Sequence, residues 1–166
     1  MKLSRVIASS AVGTTFMTLF SHLIAEIEDE DYSEPRLLGK MLHRAVPALD
    51  KKLTRIAGWG AHFAVGALFA APYVYYLNKT GKKPTVVNSI VSGAAGGLAG
   101  IAMWKSTFKV HPLPPRIPYN RFYGQLFAAH IVFGVVTAAT LHLLDHNKSS
   151  NVDDSTEVLP FTQQYV

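Results

Sequence analysis

Residues 56–77 read IAGWGAHFAVGALFAAPYVYYL, with no Asp, Glu, Lys or Arg anywhere in the run. A hydrocarbon core of about 30 Å needs roughly 20 residues of helix, and a charge at its centre is costly. This block therefore reads as a membrane span. Residues 6–25, 85–104 and 122–144 meet the same two requirements, and the charged residues lie in the gaps between the four blocks. The expected fold is all-α, an integral membrane four-helix bundle, with residues 1–144 as one transmembrane domain and 145–166 as a polar, mobile tail.

The composition agrees. Of 166 residues, 49% are hydrophobic and 16% charged, and the mean hydropathy is positive. No cysteine is present, which excludes disulfides, thiol catalysis, thiolate-bound zinc and cysteine-held iron–sulfur clusters. The net charge of +5 resides beside the spans, so the expected partners are anionic lipid headgroups and not nucleic acid. Lys2 and Arg5 precede the first block as in a secretory signal. Leu23 is too large for the position three before a cut after Ala25, and the block is long for a signal core, so it is read as a retained span.

Residues 61–71, AHFAVGALFAA, return as AHIVFGVVTAA at 129–139. SSAVG at 9–13 and SGAAG at 92–96 form a weaker second pair. Two tandem hairpins entering from the same side, a parallel repeat, explain both pairs. His62 and His130 then share one depth, about two helical turns, or roughly 9 to 12 Å, from the side of the long connections.

Small residues flank both histidines at four-residue spacing. Gly58 and Gly66 accompany His62, Gly134 accompanies His130, and Ser92, Gly96 and Gly100 with Ser89, Gly93 and Gly97 form two interleaved ridges along the third span. These are expected helix-packing positions, where small residues let backbones approach. Ser10, Thr14, Thr18 and His22 make a polar stripe on the first span. Trp59 with Tyr73, Tyr75 and Tyr76 reads as aromatic anchoring at the two ends of the second span, and Pro72 as a kink near its exit. Trp104, Tyr119, Phe122 and Tyr123 are read as anchors around the third connection.

The connections divide by character. EIEDEDYSEP at 26–35 reads as a solvated acidic stretch, with cation binding by Glu26 through Glu34 as a minority alternative. RLLGKMLHRAV at 36–46 puts Leu37, Leu38, Met41, Leu42 and Ala45 on one face, with Arg36, Lys40, His43 and Arg44 largely opposite. A short interfacial helix follows, with Arg36, Lys40 and Arg44 toward lipid phosphates. Packing over the bundle mouth is the near-equal alternative. NKTGKKP at 78–84 is a basic turn, and Pro112, Pro114, Pro115 and Pro118 stiffen the third connection. Counting Lys and Arg leaves the orientation open, because the totals and the local clusters oppose each other.

Catalytic signatures such as GxSxG, GxxxxGK[ST], HExxH and the dinucleotide fingerprint are missing, so no catalytic residues are assigned. His142, Asp145 and His146 are read as a histidine-rich helix end and not a metal site. Three functions are expected, in order. The first is a non-enzymatic structural or assembly component, a homo-oligomer or subunit of a larger membrane complex. The second is a histidine-lined proton or small-solute transport protein. The third is an electron carrier with haem b held by His62 and His130, its propionates near Arg55 and Arg121.

GWGAHFAVGALFAAPYVYY, SGAAGGLAGIAMW, HPLPPRIP and a span beginning LFAAHIVFG, over about residues 56–144, resemble the YagU-like family of small, poorly characterised bacterial inner-membrane proteins. The shared elements are the early histidines, here His62 and His130, and the prolines between residues 112 and 118. The resemblance implies a bacterial inner-membrane location, no established biochemical activity, and a link to acid tolerance suggested for one member.

Overall fold

The computed structural model describes residues 3–156, with side chains to residue 146. Five helices make up this region: α1 (Leu3–Glu28), α2 (Glu34–Ala45), α3 (Lys51–Thr80), α4 (Val86–Val110) and α5 (Tyr119–Thr156). Each boundary has a local chemical cause. Asp50 accepts hydrogen bonds from the backbone of Lys52 and Leu53 at 2.7 and 3.2 Å and so starts α3, while Gly81 ends it at φ 65°, in the left-handed region glycine tolerates. Thr85 and Asn88 exchange side-chain-to-backbone bonds at 3.3 and 2.9 Å, a capping box that opens α4. Residues 111–118, which hold the four prolines, are non-helical, and α5 begins immediately after Pro118. The backbone of α5 stays helical to Thr156, and the rest of the expected tail lies outside the described residues.

Among the described residues, three helices are long and apolar enough to cross a membrane: α1, α4 and the stretch Tyr119–His146 of α5. The fourth expected span falls in α3, whose middle of Gly, Ala, His, Trp and Tyr is less hydrophobic than the other three. That helix runs through Pro72 without interruption.

Large apolar side chains are exposed along α1 where a water-soluble protein would bury them. Its inward residues are Val6 and Met17 together with the small or polar Ser9, Ser10, Gly13, Thr14, Thr18 and Ser21, whereas Leu3, Phe16, Leu19, Leu23 and Ile27 point outward and are 51–70% exposed. Each large apolar side chain left in water forgoes about 1.5 to 3 kcal/mol of burial. A hydrocarbon solvent removes that cost and leaves small polar residues for helix contact.

The closely packed pairs are α4 with α5, α1 with α5, α2 with α3 and α1 with α3. Consecutive α3 and α4 are not such a pair. At one end Arg5 bonds Asn78 at 2.9 Å and Asp145 at 2.7 Å, joining the start of α1 to the end of α3 and the C-terminal half of α5. At the other end His111 Nε2 donates to the Met41 carbonyl at 2.9 Å and Arg44 to that of Leu113 at 3.2 Å, tying α2 to the proline segment. The helix directions thus alternate.

Close backbone approach is concentrated at glycines. A Cβ on Gly58 would sit 2.7 Å from Gly39 N, so α2 crosses α3 there. A Cβ on Gly134 would come within 2.9 Å of Gly93 Cα. The ridge of α4 that meets α5 is Ser89, Gly93 and Gly97, all buried. Gly96 and Gly100, on the adjacent ridge with half-buried Ser92, face side chains instead.

Two sequence expectations change. Trp104 and Phe122 are 5% and 0% exposed and pack with Phe108 at centroid separations of 5.0 to 5.8 Å, so they are core residues and not interfacial anchors. The acidic connection is not solvated throughout. Tyr32, Ser33 and Glu34 are at most 1% exposed, because the start of α2 folds back under the bundle.

Candidate functional site

Between α3 and α4, where neither packs closely on the other, lies a cavity of about 130 Å³. His62 from α3 and His130 from α5 both line it, so the two copies of the repeated phrase converge on one space. Thr14 of α1, Glu34 of α2, and the aromatic rings of Phe69, Trp104 and Phe133 complete the wall.

Each imidazole is held by one hydrogen bond. His62 Nε2 lies 2.9 Å from Thr18 Oγ1, whose hydroxyl is also 2.8 Å from the Thr14 carbonyl, so the ring donates when the hydroxyl hydrogen points to Thr14 and accepts when it points to the ring. His130 Nδ1 lies 2.8 Å from the Leu126 carbonyl, which can only accept, so Nδ1 is the donor and Nε2 is bare. Gly100 makes room for that ring, since a Cβ there would stand 3.0 Å from His130 Nε2 and 2.9 Å from Cε1. Phe69 meets the same ring edge-on at 5.4 Å. Gly66 plays the equivalent part beside Thr14, whose hydroxyl would collide with an added Cβ.

Glu34 is the group that sequence reasoning missed. Its carboxyl is 1% exposed and makes no ion pair among the described residues. Oε1 accepts from Ser21 at 3.0 Å, and Ser21 in turn accepts from the Gln125 amide at 2.5 Å. Glu34 Oε2 and Gln125 Oε1 are buried with no hydrogen-bond partner. Burial pushes the carboxyl up to about 7, against the opposing pull of its own backbone N–H and of Ser21 and Gln125. A signal was present in the sequence: Gln125 is a lone amide within an uncharged block, and buried amides need partners.

The other expected positions divide. Ser10, Thr14 and Thr18 are buried, but Ser10 bonds its own helix at Ile7 and Thr14 Oγ1 has no partner. His22 is half-buried and does not line the cavity. Arg36 and Lys40 pair with Asp31 at 3.9 and 2.5 Å, and with His43, Lys51 and Arg55 they line a basic groove between α2 and α3. Arg44 faces away from that groove, toward Leu113. Arg55 and Arg121 are exposed. Among the described residues no group of three or more His, Asp or Glu is placed to hold a metal ion.

Compared with family models, curated proteins and solved structures, the chain matches none.

Proposed function

We propose that this chain is a four-span membrane protein of two antiparallel hairpins, α1 with α3 and α4 with α5, that moves protons, alone or on a small solute, through its histidine-lined cavity. One observation carries the reading: His62, His130 and the buried Glu34 carboxyl, from three different helices, line a single space. Intramembrane ionisable groups that face one another in this way serve proton and solute pathways. The packing of α1 on α3 and of α4 on α5 supports the paired hairpins, and the alternating helix directions support a crossing by α3.

A purely structural role for the histidines, the leading expectation from sequence, draws support from their bonds to Thr18 and Leu126. It leaves the cavity and its unmatched acceptors without a purpose, which favours the transport reading. Haem b bound between the histidines would have to take His62 Nε2 from Thr18. The resemblance noted above fits a bacterial inner membrane, and the basic groove fits anionic headgroups at Arg36 and Lys40.

The test is proton entry into sealed vesicles carrying an internal pH dye after an external acid step. Wild-type protein is expected to raise the rate above that of empty vesicles, and the His62→Ala, His130→Ala double variant to return it toward the empty value. Equal rates for wild type and variant would overturn the reading, and a visible Soret band in the purified protein would redirect it to haem.

A further inference from the structure

Several polar hydrogens around the cavity are committed to internal bonds: His130 Nδ1–H to Leu126, one amide hydrogen of Gln125 to Ser21, and the Ser21 hydroxyl to Glu34. Among the lining residues, His130 keeps a bare Nε2, Glu34 Oε2 and the Thr14 hydroxyl have no partner, and the Trp104 indole N–H is a donor in the aromatic wall. Glu34 is the one carboxyl among these lining residues, so the wall selects for a ligand that brings a hydrogen-bond donor to it. Buried acceptors left unmatched are costly, and a donor entering among them removes that cost.

The walls set the rest of the ligand. Phe69, Trp104 and Phe133 present aromatic surface, and about 130 Å³ is close to the apolar cavity volume of roughly 150 Å³ that accepts benzene. A cation is attracted both to aromatic faces and to a carboxylate. An anion would meet Glu34 and lone pairs, and no fixed positive charge lines the cavity.

We infer that the cavity binds a small lipophilic primary amine in its ammonium form, with the NH3+ group donating to Glu34 and the bare His130 Nε2 and the apolar body lying against the aromatic wall. This rests on the reading of the cavity as a solute site and adds the class of solute. Charge balance follows directly. Where Glu34 is protonated, the entering ammonium displaces its proton to water, and the site holds one positive and one negative charge afterwards. The groups that can titrate against this exchange are His62 from α3 and His130 from α5; the wall residues of α1 and α4 are not titratable, and Tyr32 adjoins Glu34 in the connection. The carboxyl's position near 7 places the exchange in the neutral range.

The experiment uses purified full-length protein in detergent and three probes of one shape: benzylammonium, benzyl alcohol and benzoate. Calorimetry reads binding, and a pH electrode in weakly buffered solution reads proton release. Benzylammonium is expected to bind at least tenfold more tightly than the other two, to release close to one proton per amine at pH 6 and much less at pH 8, and to lose at least tenfold affinity in Glu34→Gln. Val65→Phe, which fills the cavity from α3, is expected to abolish binding while Glu34 remains. Binding of the alcohol or the benzoate in preference, blocked by Val65→Phe, would overturn the amine and leave the solute site standing. Binding of none of the three would overturn both. Amine binding that survives Glu34→Gln and Val65→Phe unchanged would place it outside the cavity and overturn the inference.

Discussion

The carboxyl of Glu34 makes folding depend on pH in a direction opposite to that of most acidic residues. In the folded chain burial raises it to about 7 from an ordinary 4.5, so the native state keeps a proton that the unfolded state has already lost. The stability this provides is complete below about 4.5 and declines as pH rises through about 7. The difference corresponds to about 3 kcal/mol. Glu34→Gln, which is always neutral, is therefore expected to match the wild type in thermal unfolding at pH 5 and to be more stable at pH 8 by a sizeable part of that figure. Equal stability at both pH values would mean that the carboxyl is hydrated in the folded protein. The two histidines were legible in the sequence because the repeated phrase marked them, and Glu34 was not. It sits in a run with Glu26, Glu28, Asp29, Glu30 and Asp31, and what separates it from them is the docking of α2, a tertiary event with no local signature.

At the scale of elements, hydrophobic blocks located the long helices well, because runs without charge end where capping residues and prolines stand. What they did not locate was which ridge of a glycine-rich helix meets its neighbour. On α4 the ridge of Ser92, Gly96 and Gly100 and that of Ser89, Gly93 and Gly97 look equivalent in sequence, and only the second meets the α5 backbone. The distinction is testable by adding one methyl group. A Cβ on Gly134 would lie 2.5 Å from the Ser89 carbonyl and 2.9 Å from the Gly93 backbone nitrogen, where neither atom can yield without moving a helix. Gly134→Ala is expected to destabilise by about 1 to 3 kcal/mol, the usual cost of overpacking. Gly60 has nothing within 4 Å of its added Cβ, and there the better helix propensity of alanine is expected to make Gly60→Ala neutral or stabilising by up to about 1 kcal/mol. Thermal unfolding in detergent, followed by helical circular dichroism, compares the pair. A Gly134→Ala protein as stable as Gly60→Ala would show that α4 and α5 are further apart than the contact implies.

The whole molecule raises the question of whether α3 crosses the bilayer as α1, α4 and α5 are equipped to do. Its histidine, glycines and tyrosines lower its hydropathy, yet Leu53, Ile56 and Leu68 are 53–70% exposed, an outward apolar surface of the kind seen on α1. A helix that carries its polar residues toward a shared interior can cross with less total hydrophobicity than an isolated one, because its neighbours satisfy the polar groups. The bond from Arg5 to Asn78 sets the end of α3 beside the start of α1, while its beginning lies with α2 and the proline segment at the opposite end. If α3 crosses, the connection at residues 46–50 before it and the turn at residues 78–84 after it lie on opposite sides of the membrane. The natural chain has no cysteine and is therefore a clean background for testing this. Ala48→Cys and Lys82→Cys, made singly and exposed in sealed, uniformly oriented vesicles to a maleimide that cannot cross the bilayer, are expected to label in a mutually exclusive way. Each should reach full labelling once detergent opens the vesicles. Labelling of both positions from the same side would mean that α3 does not carry the chain across between them, and the protein would then sit in the membrane with fewer crossings than its helices allow.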